Sequence, residues 1–336
     1  MRKIGTHDGC FHADEAFACY LLKQLPEYRD AAIVRTRDES KLAECDVVVD
    51  VGSVYEPNRH RYDHHQRDFT GTMRSLGSLA YDTKLSSAGL VYLHFGRRVL
   101  CNLLPKLQQN SADLELLYEQ LYANFVEEMD GVDNGIAACD GPARYKVTTT
   151  LADRIGRLYP AWNETNVKSN DIDMLFHKAV HLTGSEFSER AHYCFHSWLP
   201  ARQLVAAAIE LRFSVHPSGS IFLLENGGLP WKEHLFSLEN EMKDVRLLFC
   251  IYEDASGMWR VQAVPLSTTE KFTNRLPLHE SWRGLRGAEL EAVCGIPGAK
   301  FCHASGFIGG HATREGAVEM AAKTMQLNGA NASEKS

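Results

Sequence analysis

The chain has 336 residues, 44% hydrophobic and 24% charged, with 36 Lys and Arg set against 43 Asp and Glu. That length exceeds one ordinary core and sets two domains as the expectation, within a composition typical of globular chains. A formal net charge of −7 excludes a general basic surface for nucleic acid, so a phosphate-bearing substrate must be held by metal ions or by a local cluster of cations.

In chain order, Ile4 to Thr6 reads as a short strand whose end delivers His7 into the loop Asp8-Gly9-Cys10-Phe11. From Ala13 the apolar residues Ala16, Phe17, Cys19, Leu21 and Leu22 suit a helix packed on a sheet, ending before Pro26. Ile33 to Arg35 and Val47 to Val51 follow as strands, the second a valine run of the kind found in central parallel strands, closed by Asp50 near its end. Arg67 to Ser78 is a polar, glycine-containing loop. Ser86 to Leu104 and Ser111 to Met129 predict two helices joined near Pro105, the second running into Asp130-Gly131-Val132-Asp133-Asn134-Gly135. Thr148 to Ala201 reads as helical and irregular, and Leu199-Pro200-Ala201 marks a boundary.

Beyond it Ile221 to Leu224, Val245 to Tyr252 and Trp259 to Val264 alternate like antiparallel strands, with Ala255-Ser256-Gly257 as a hairpin turn. A glycine-rich loop, Gly306 to His311, leads into a last helix over Thr313 to Leu327. The expected organisation is therefore an α/β domain over residues 1–200 with a mostly parallel sheet flanked by helices, an α+β domain over 201–327, and a disordered tail over 328–336.

The nine cysteines are odd in number, scattered and without a C-x-x-C pair, which reads as free thiols and not as a zinc ribbon or disulfide framework. No apolar run approaches the ~20 residues of a membrane span, and fold-like sequence starts at the first residues, so the expected location is cytosol or nucleus.

Four segments offer metal ligands: His7, His12 and Asp14; Asp50; Asp63 with His64 and His65; and Asp130 or Asp133. Imidazole and carboxylate without thiolate suit manganese or magnesium better than structural zinc. The donors suffice for two divalent ions, with Asp50 a natural bridge, and such a pair can ionise water and stabilise a phosphoryl displacement. His177 with His181 and His192 with His196 have helical i, i+4 spacing, but Lys178 stands where a zincin has its glutamate, so they read as core or surface histidines.

The order of these segments resembles the DHH phosphoesterase superfamily, which includes RecJ-type exonucleases, oligoribonucleases and manganese-dependent family II pyrophosphatases. More narrowly, Gly5 to Ala16, Tyr62 to Gln66, Val132 to Ile136, Trp282 to Arg286 and His303 to Gly310 resemble the melanocyte-proliferating-gene family over nearly the whole chain. The resemblance implies a DHH-type catalytic domain, a C-terminal DHH-associated-like substrate domain, and 3′-to-5′ exonuclease action on single-stranded RNA. It implies that His7 and His12 hold one ion, Asp14, His64 and Asp133 the other, with Asp50 between them and His65 facing the scissile phosphate. Asp63 is then expected to orient a histidine, and Asp130 to stand behind the ligands. Where most superfamily members carry an acid, this chain has His12, which gives the first ion an extra imidazole. A mitochondrial location enters by resemblance alone.

The resemblance also assigns substrate contact to Gly309-Gly310-His311, placed before a helix start whose free amides favour anions. Arg283, Arg286, Lys300 and Arg314 are near in sequence and suit phosphates. The reading is a two-metal 3′-to-5′ exoribonuclease; the alternatives are a phosphohydrolase of pyrophosphate or a dinucleotide, and a catalytically silent RNA-binding regulator. No zincin motif and no placed Ser or Cys nucleophile supports a peptide hydrolase.

Overall fold

A computed structural model describes every residue except 165–167, 244, 269, 271–272 and 334–336. The chain divides into two units, Met1–His196 and Ser197–Ser336.

The first unit holds strands β1 (Lys3–Thr6), β2 (Ala32–Arg35), β3 (Val47–Val49), β4 (Tyr55–Glu56) and β5 (Arg61–Tyr62). They form one sheet in the order β2-β1-β3-β5-β4. All pairings are parallel except β4 with β5, so the strand ends that carry acids and histidines share one edge. Stiff β-branched side chains make Val47, Val48 and Val49 suited to the buried centre of that sheet.

The helices of this unit are α1 (Ala13–Lys23), α2 (Glu39–Ala43), α3 (Met73–Leu76), α4 (Ser87–Leu103), α5 (Ala112–Leu121), α6 (Glu127–Asp133), α7 (Leu151–Gly156) and α8 (Ser169–Tyr193). Phe17 of α1 meets Phe125 and Phe187 edge-on, with ring centroids 5.2 and 5.0 Å away, and this aromatic cluster ties α1 to α8. Tyr20 lies directly on Gly184 of α8, where any Cβ would fall inside its ring. Gly184→Ala is therefore expected to destabilise the unit by about 1–3 kcal/mol, read as a lower melting temperature, because an overpacked helix crossing must open.

The expected helical stretch over Thr148 to Ala201 resolves into α7, α8, a π-helical turn over Cys194–Trp198 and the start of a further helix at Leu199, with residues 165–167 outside those described. One turn of π-helix, Tyr122–Val126, joins α5 to α6, a place where such bulges re-aim side chains.

The second unit contains α9 (Leu199–Glu210), α10 (Arg212–Val215), β6 (Ile221–Leu224), α11 (Trp231–Met242), β7 (Phe249–Glu253), β8 (Trp259–Ala263), α12 (Gly287–Cys294), β9 (Ala299–Cys302), β10 (Ile308–His311) and α13 (Arg314–Ser333). Its sheet runs β6-β7-β8-β10-β9. Alternation assigns Phe222, Leu224 and Cys250 to the face under α9 and α11, and Ile221, Phe249 and Val261 to the face under α12 and α13.

Three expectations change here. Ile221–Leu224 and Phe249–Glu253 pair in parallel, because α11 between them supplies the crossover that an antiparallel hairpin does not need. The expected loop at Gly309-Gly310-His311 is strand β10, hydrogen-bonded between β8 and β9. The last helix runs on to Ser333, into the segment expected to be a tail, and residues 334–336 lie outside those described. Among the described residues no helix is long and apolar enough to cross a membrane.

Candidate metal centre

The end of β1 presents His7, whose ring is turned by the Gly9 amide, which donates to Nδ1 at 3.1 Å. His12 then caps α1, and Glu15 returns both carboxylate oxygens to the His12 amide at 2.9 and 3.1 Å. This capping box starts the helix and at the same time points Asp14 and Glu15, 1% and 0% exposed, into the protein. Ser86 caps α4, and the next two amides of that helix, Ser87 and Ala88, donate to the Asp14 carboxylate at 3.2 and 2.5 Å. A free helix end thus fixes a buried carboxylate.

β3 stops at Val49 because Asp50 adopts a left-handed conformation, φ 57°, uncommon for any residue but glycine, asparagine or aspartate. That turn swings its carboxylate across the strand ends, 3.3 Å from His7 Nε2, 3.5 Å from His65 Nδ1 and 3.8 Å from His64 Nδ1. Beyond β5, His64 Nε2 meets Asp133 Oδ2 at 2.9 Å, and its Nδ1 lies 3.2 Å from Ser87 Oγ. The His65 ring lies beside that of His64, centroids 4.3 Å apart. It is more than half exposed, and its Nδ1 lies 2.7 Å from Asp63 Oδ1 while the Ser53 amide holds the second Asp63 oxygen at 2.6 Å.

Asp133 is the last residue of α6. Asn134 follows as its cap, with its amide donating to the carbonyls of Lys84 and Asp130, and Gly135 turns the chain away at φ 68°. One turn earlier Asp130 is fully buried, and it accepts from the Ser86 amide and hydroxyl at 2.9 and 2.8 Å and from the Tyr122 hydroxyl at 2.9 Å. Asp130 thus anchors the start of α4, while Asp133 joins the donors.

Three groups of donor atoms result, each within 4.8 Å: His7, His12, Glu15 and Asp50; Asp50, Asp63, His64 and His65; Asp14, His64 and Asp133. Asp50 and His64 are shared, so the groups form one continuous centre. His7 Nε2 and Asp50 Oδ2 are buried without a hydrogen-bond partner, and they face each other. Unpartnered, mutually facing donors of this kind fit a cation between them, since burial without a partner is costly.

The electrostatics agree. Burial, and then Asp133, raise Asp14 to about 6, and burial with the neighbouring acids holds Asp50 and Glu15 well above the carboxylate range. Burial pushes His7 down to about 4. His64 stays above its ordinary value: burial works against its charge, but the Asp133 hydrogen bond and the surrounding carboxylates outweigh it. Burial likewise raises Asp130 to about 8.

Glu15 is the donor that sequence reading did not pick out. Its signal was present, an acid three residues after His12, but that pattern is also the ordinary mark of a solvated helix start.

In the second unit, His311 is 2% exposed, its Nε2 donating to Pro297 O at 2.9 Å and its Nδ1 accepting from the Thr313 amide at 2.9 Å. Both ring nitrogens are thereby occupied within the fold. Gly310 is needed because Phe301 lies on it, with an added Cβ only 2.5 Å from that ring. Arg283, Arg286, Lys300 and Arg314 are exposed, Arg283 with Nε on Leu278 O and Arg286 over Phe301 at 5.7 Å. His177, His181, His192 and His196 belong to none of the donor groups found among the described residues.

An α/β unit that gathers imidazoles and carboxylates at the carboxyl ends of parallel strands has the architecture of a metal-dependent hydrolase. The family model MYG1_exonuc, described as an uncharacterised protein family (UPF0160), matches residues 3–325, and the chain belongs to that family, the melanocyte-proliferating-gene family. The MYG1 exonuclease of Mus musculus is 55% identical over 326 residues, 96% of this chain and 84% of the relative. That of Homo sapiens is also 55% identical, over 96% of this chain and 85% of the relative. The MYG1 protein of Dictyostelium discoideum is 47% identical over 96% of each. No solved structure matches the chain.

Proposed function

We infer that the protein is a metal-dependent phosphodiesterase acting as a 3′-to-5′ exonuclease on single-stranded RNA, with two divalent ions, manganese foremost and magnesium next. The observation that carries the reading is the continuous donor centre with Asp50 and His64 common to adjacent groups. The naming of the mammalian relatives as exonucleases supports the substrate class.

His7, His12, Glu15 and Asp50 would hold one ion, and Asp14, His64 and Asp133 the other. Bound there, divalent ions supply Lewis-acid polarisation of phosphoryl oxygens and a water ionised at neutral pH. The remaining chemistry belongs to the chain. A cleft of about 610 Å³ opens on His7, Asp50, Asp63 and His65, with Arg37 at its side, and admits a phosphodiester to the centre. Asp63 accepts the Nδ1–H of His65, which fixes the ring and turns Nε2 to that cleft; protonated, Nε2 donates to a non-bridging phosphate oxygen. Asp130 keeps α4 in place and, through the Ser87 and Ala88 amides, keeps Asp14 in place.

Purified, manganese-loaded protein is expected to release labelled mononucleotide at once from a 3′-labelled oligoribonucleotide, and only after stepwise shortening from a 5′-labelled one. Turnover of pyrophosphate with no attack on the oligonucleotide would move the assignment to a small-molecule phosphohydrolase. RNA binding that resists chelator, without hydrolysis of any phosphate ester, would leave a binding protein.

A further inference from the structure

The donor centre has a second open side. A cavity of about 1000 Å³ lies within the first unit between α6, α7 and α8, and His12, Asp14 and Asp133 reach its floor. Its chemistry differs from that of the 610 Å³ cleft, which lacks an aromatic and has only Leu42 and Val51 as large apolar lining. Here Met129, Val132 and Leu151 make an apolar wall, and Val132 is half exposed although it is a large hydrophobic residue beside a charged centre. Thr149 and Arg157 also line it, Arg157 with one guanidinium nitrogen on Thr148 O at 3.1 Å, while the Thr150 hydroxyl is taken up by Asp153 in the cap of α7.

The charge on the walls matters. Arg154 is paired with Glu186 at 2.6 Å, Arg190 donates to Asn124 O at 2.7 Å and lies over Phe125, and Glu128 and Asp153 also line the cavity, so these arginines are engaged within the fold and form no run along which a phosphate backbone is held. An apolar surface with Thr149 and Arg157 beside it suits a base and its sugar.

Resting on the reading above, we propose that this cavity seats the terminal nucleoside of the strand being cut. The base lies on Met129, Val132 and Leu151, and the sugar faces Thr149. A seat for one nucleoside, beside the donors and not along a groove, also accounts for release of single nucleotides.

Equilibrium binding of adenosine 5′-monophosphate tests the seat without needing turnover. The intact protein is expected to bind it at least about tenfold more tightly than ribose 5-phosphate, because the base buries apolar surface. Thr149→Trp, which fills the cavity from an exposed position, and Arg157→Ala are each expected to weaken it by about tenfold or more. Equal affinity for the two ligands, unchanged binding in both variants, or no binding by the intact protein overturns the proposal.

Hydrolysis of bis(4-nitrophenyl) phosphate separates this from the proposed activity. Thr149→Trp is expected to raise KM for an oligoribonucleotide. Loss of all hydrolysis by the intact protein with nucleotide binding preserved would defeat the activity and leave the seat standing.

Discussion

Asp50→Asn is expected to lower kcat/KM on an oligoribonucleotide by at least about 10³-fold, the loss of some 4 kcal/mol of transition-state stabilisation that a misassembled metal pair entails. Asp50 is the carboxylate common to two donor groups, lies 3.3 Å from His7 Nε2, and has an oxygen with no other partner. Asparagine keeps its shape and tolerates the left-handed backbone at φ 57°, so the fold is expected to survive, with unchanged circular dichroism. Bound manganese, counted by elemental analysis, is expected to fall below the wild-type number. Asp63→Asn provides the contrast: its carboxylate orients His65, and an orienting partner of that kind is worth about 10–100-fold. Asp50→Asn within tenfold of wild type would remove Asp50 from the metal centre.

The site was more legible in the sequence than its surroundings, for a physical reason. His7, Asp50 and His64 sit just past strands, and Asp14 sits in a first helical turn, where local pattern alone fixes which way a side chain is delivered. The parallel start of the chain was equally legible, since three consecutive buried valines leave few alternatives. What escaped depends on contacts distant in sequence. Glu15 looks like a solvated cap until α4 and β3 close over it. Gly310 looks like a phosphate loop until Phe301 is seen lying on it, and His311 like a ligand until Pro297 and Thr313 take both its nitrogens. The parallel pairing of β6 with β7 follows from α11 returning the chain to the same edge, which strand alternation by itself does not encode.

Chelation is expected to lower the melting temperature of the first unit by about 5–10 °C at about pH 8, and by less at about pH 6. Ions at about a hundred times their dissociation constant stabilise by about 2.7 kcal/mol, and a unit the size of Met1–His196 shifts about 2–4 °C per kcal/mol. The pH dependence follows from the buried acids. Asp14 is raised from 3.8 to about 6 by burial and then by Asp133, and Asp50 and Glu15 stand well above their ordinary values for the same reasons. A carboxyl raised on folding contributes its full stability below its unfolded pKa and loses it as pH rises through the folded pKa. In chelated protein these acids therefore favour the folded state near pH 4 and cost it progressively toward neutrality, and His64, also raised, adds in the same direction. His7 opposes them: lowered from 6.5 to about 4 by burial, it contributes above 6.5 and loses that contribution as pH falls to about 4. Three acids and one histidine against one histidine leave the chelated protein less stable at about pH 8 than at about pH 6. Metal binding requires those carboxylates ionised, so loaded protein recovers what ionisation cost, and the gap between loaded and chelated melting curves widens with pH. Melting curves with manganese and with EDTA at both pH values measure it directly; a gap independent of pH, or none, would mean that the buried acids are stabilised by the fold and not by ions.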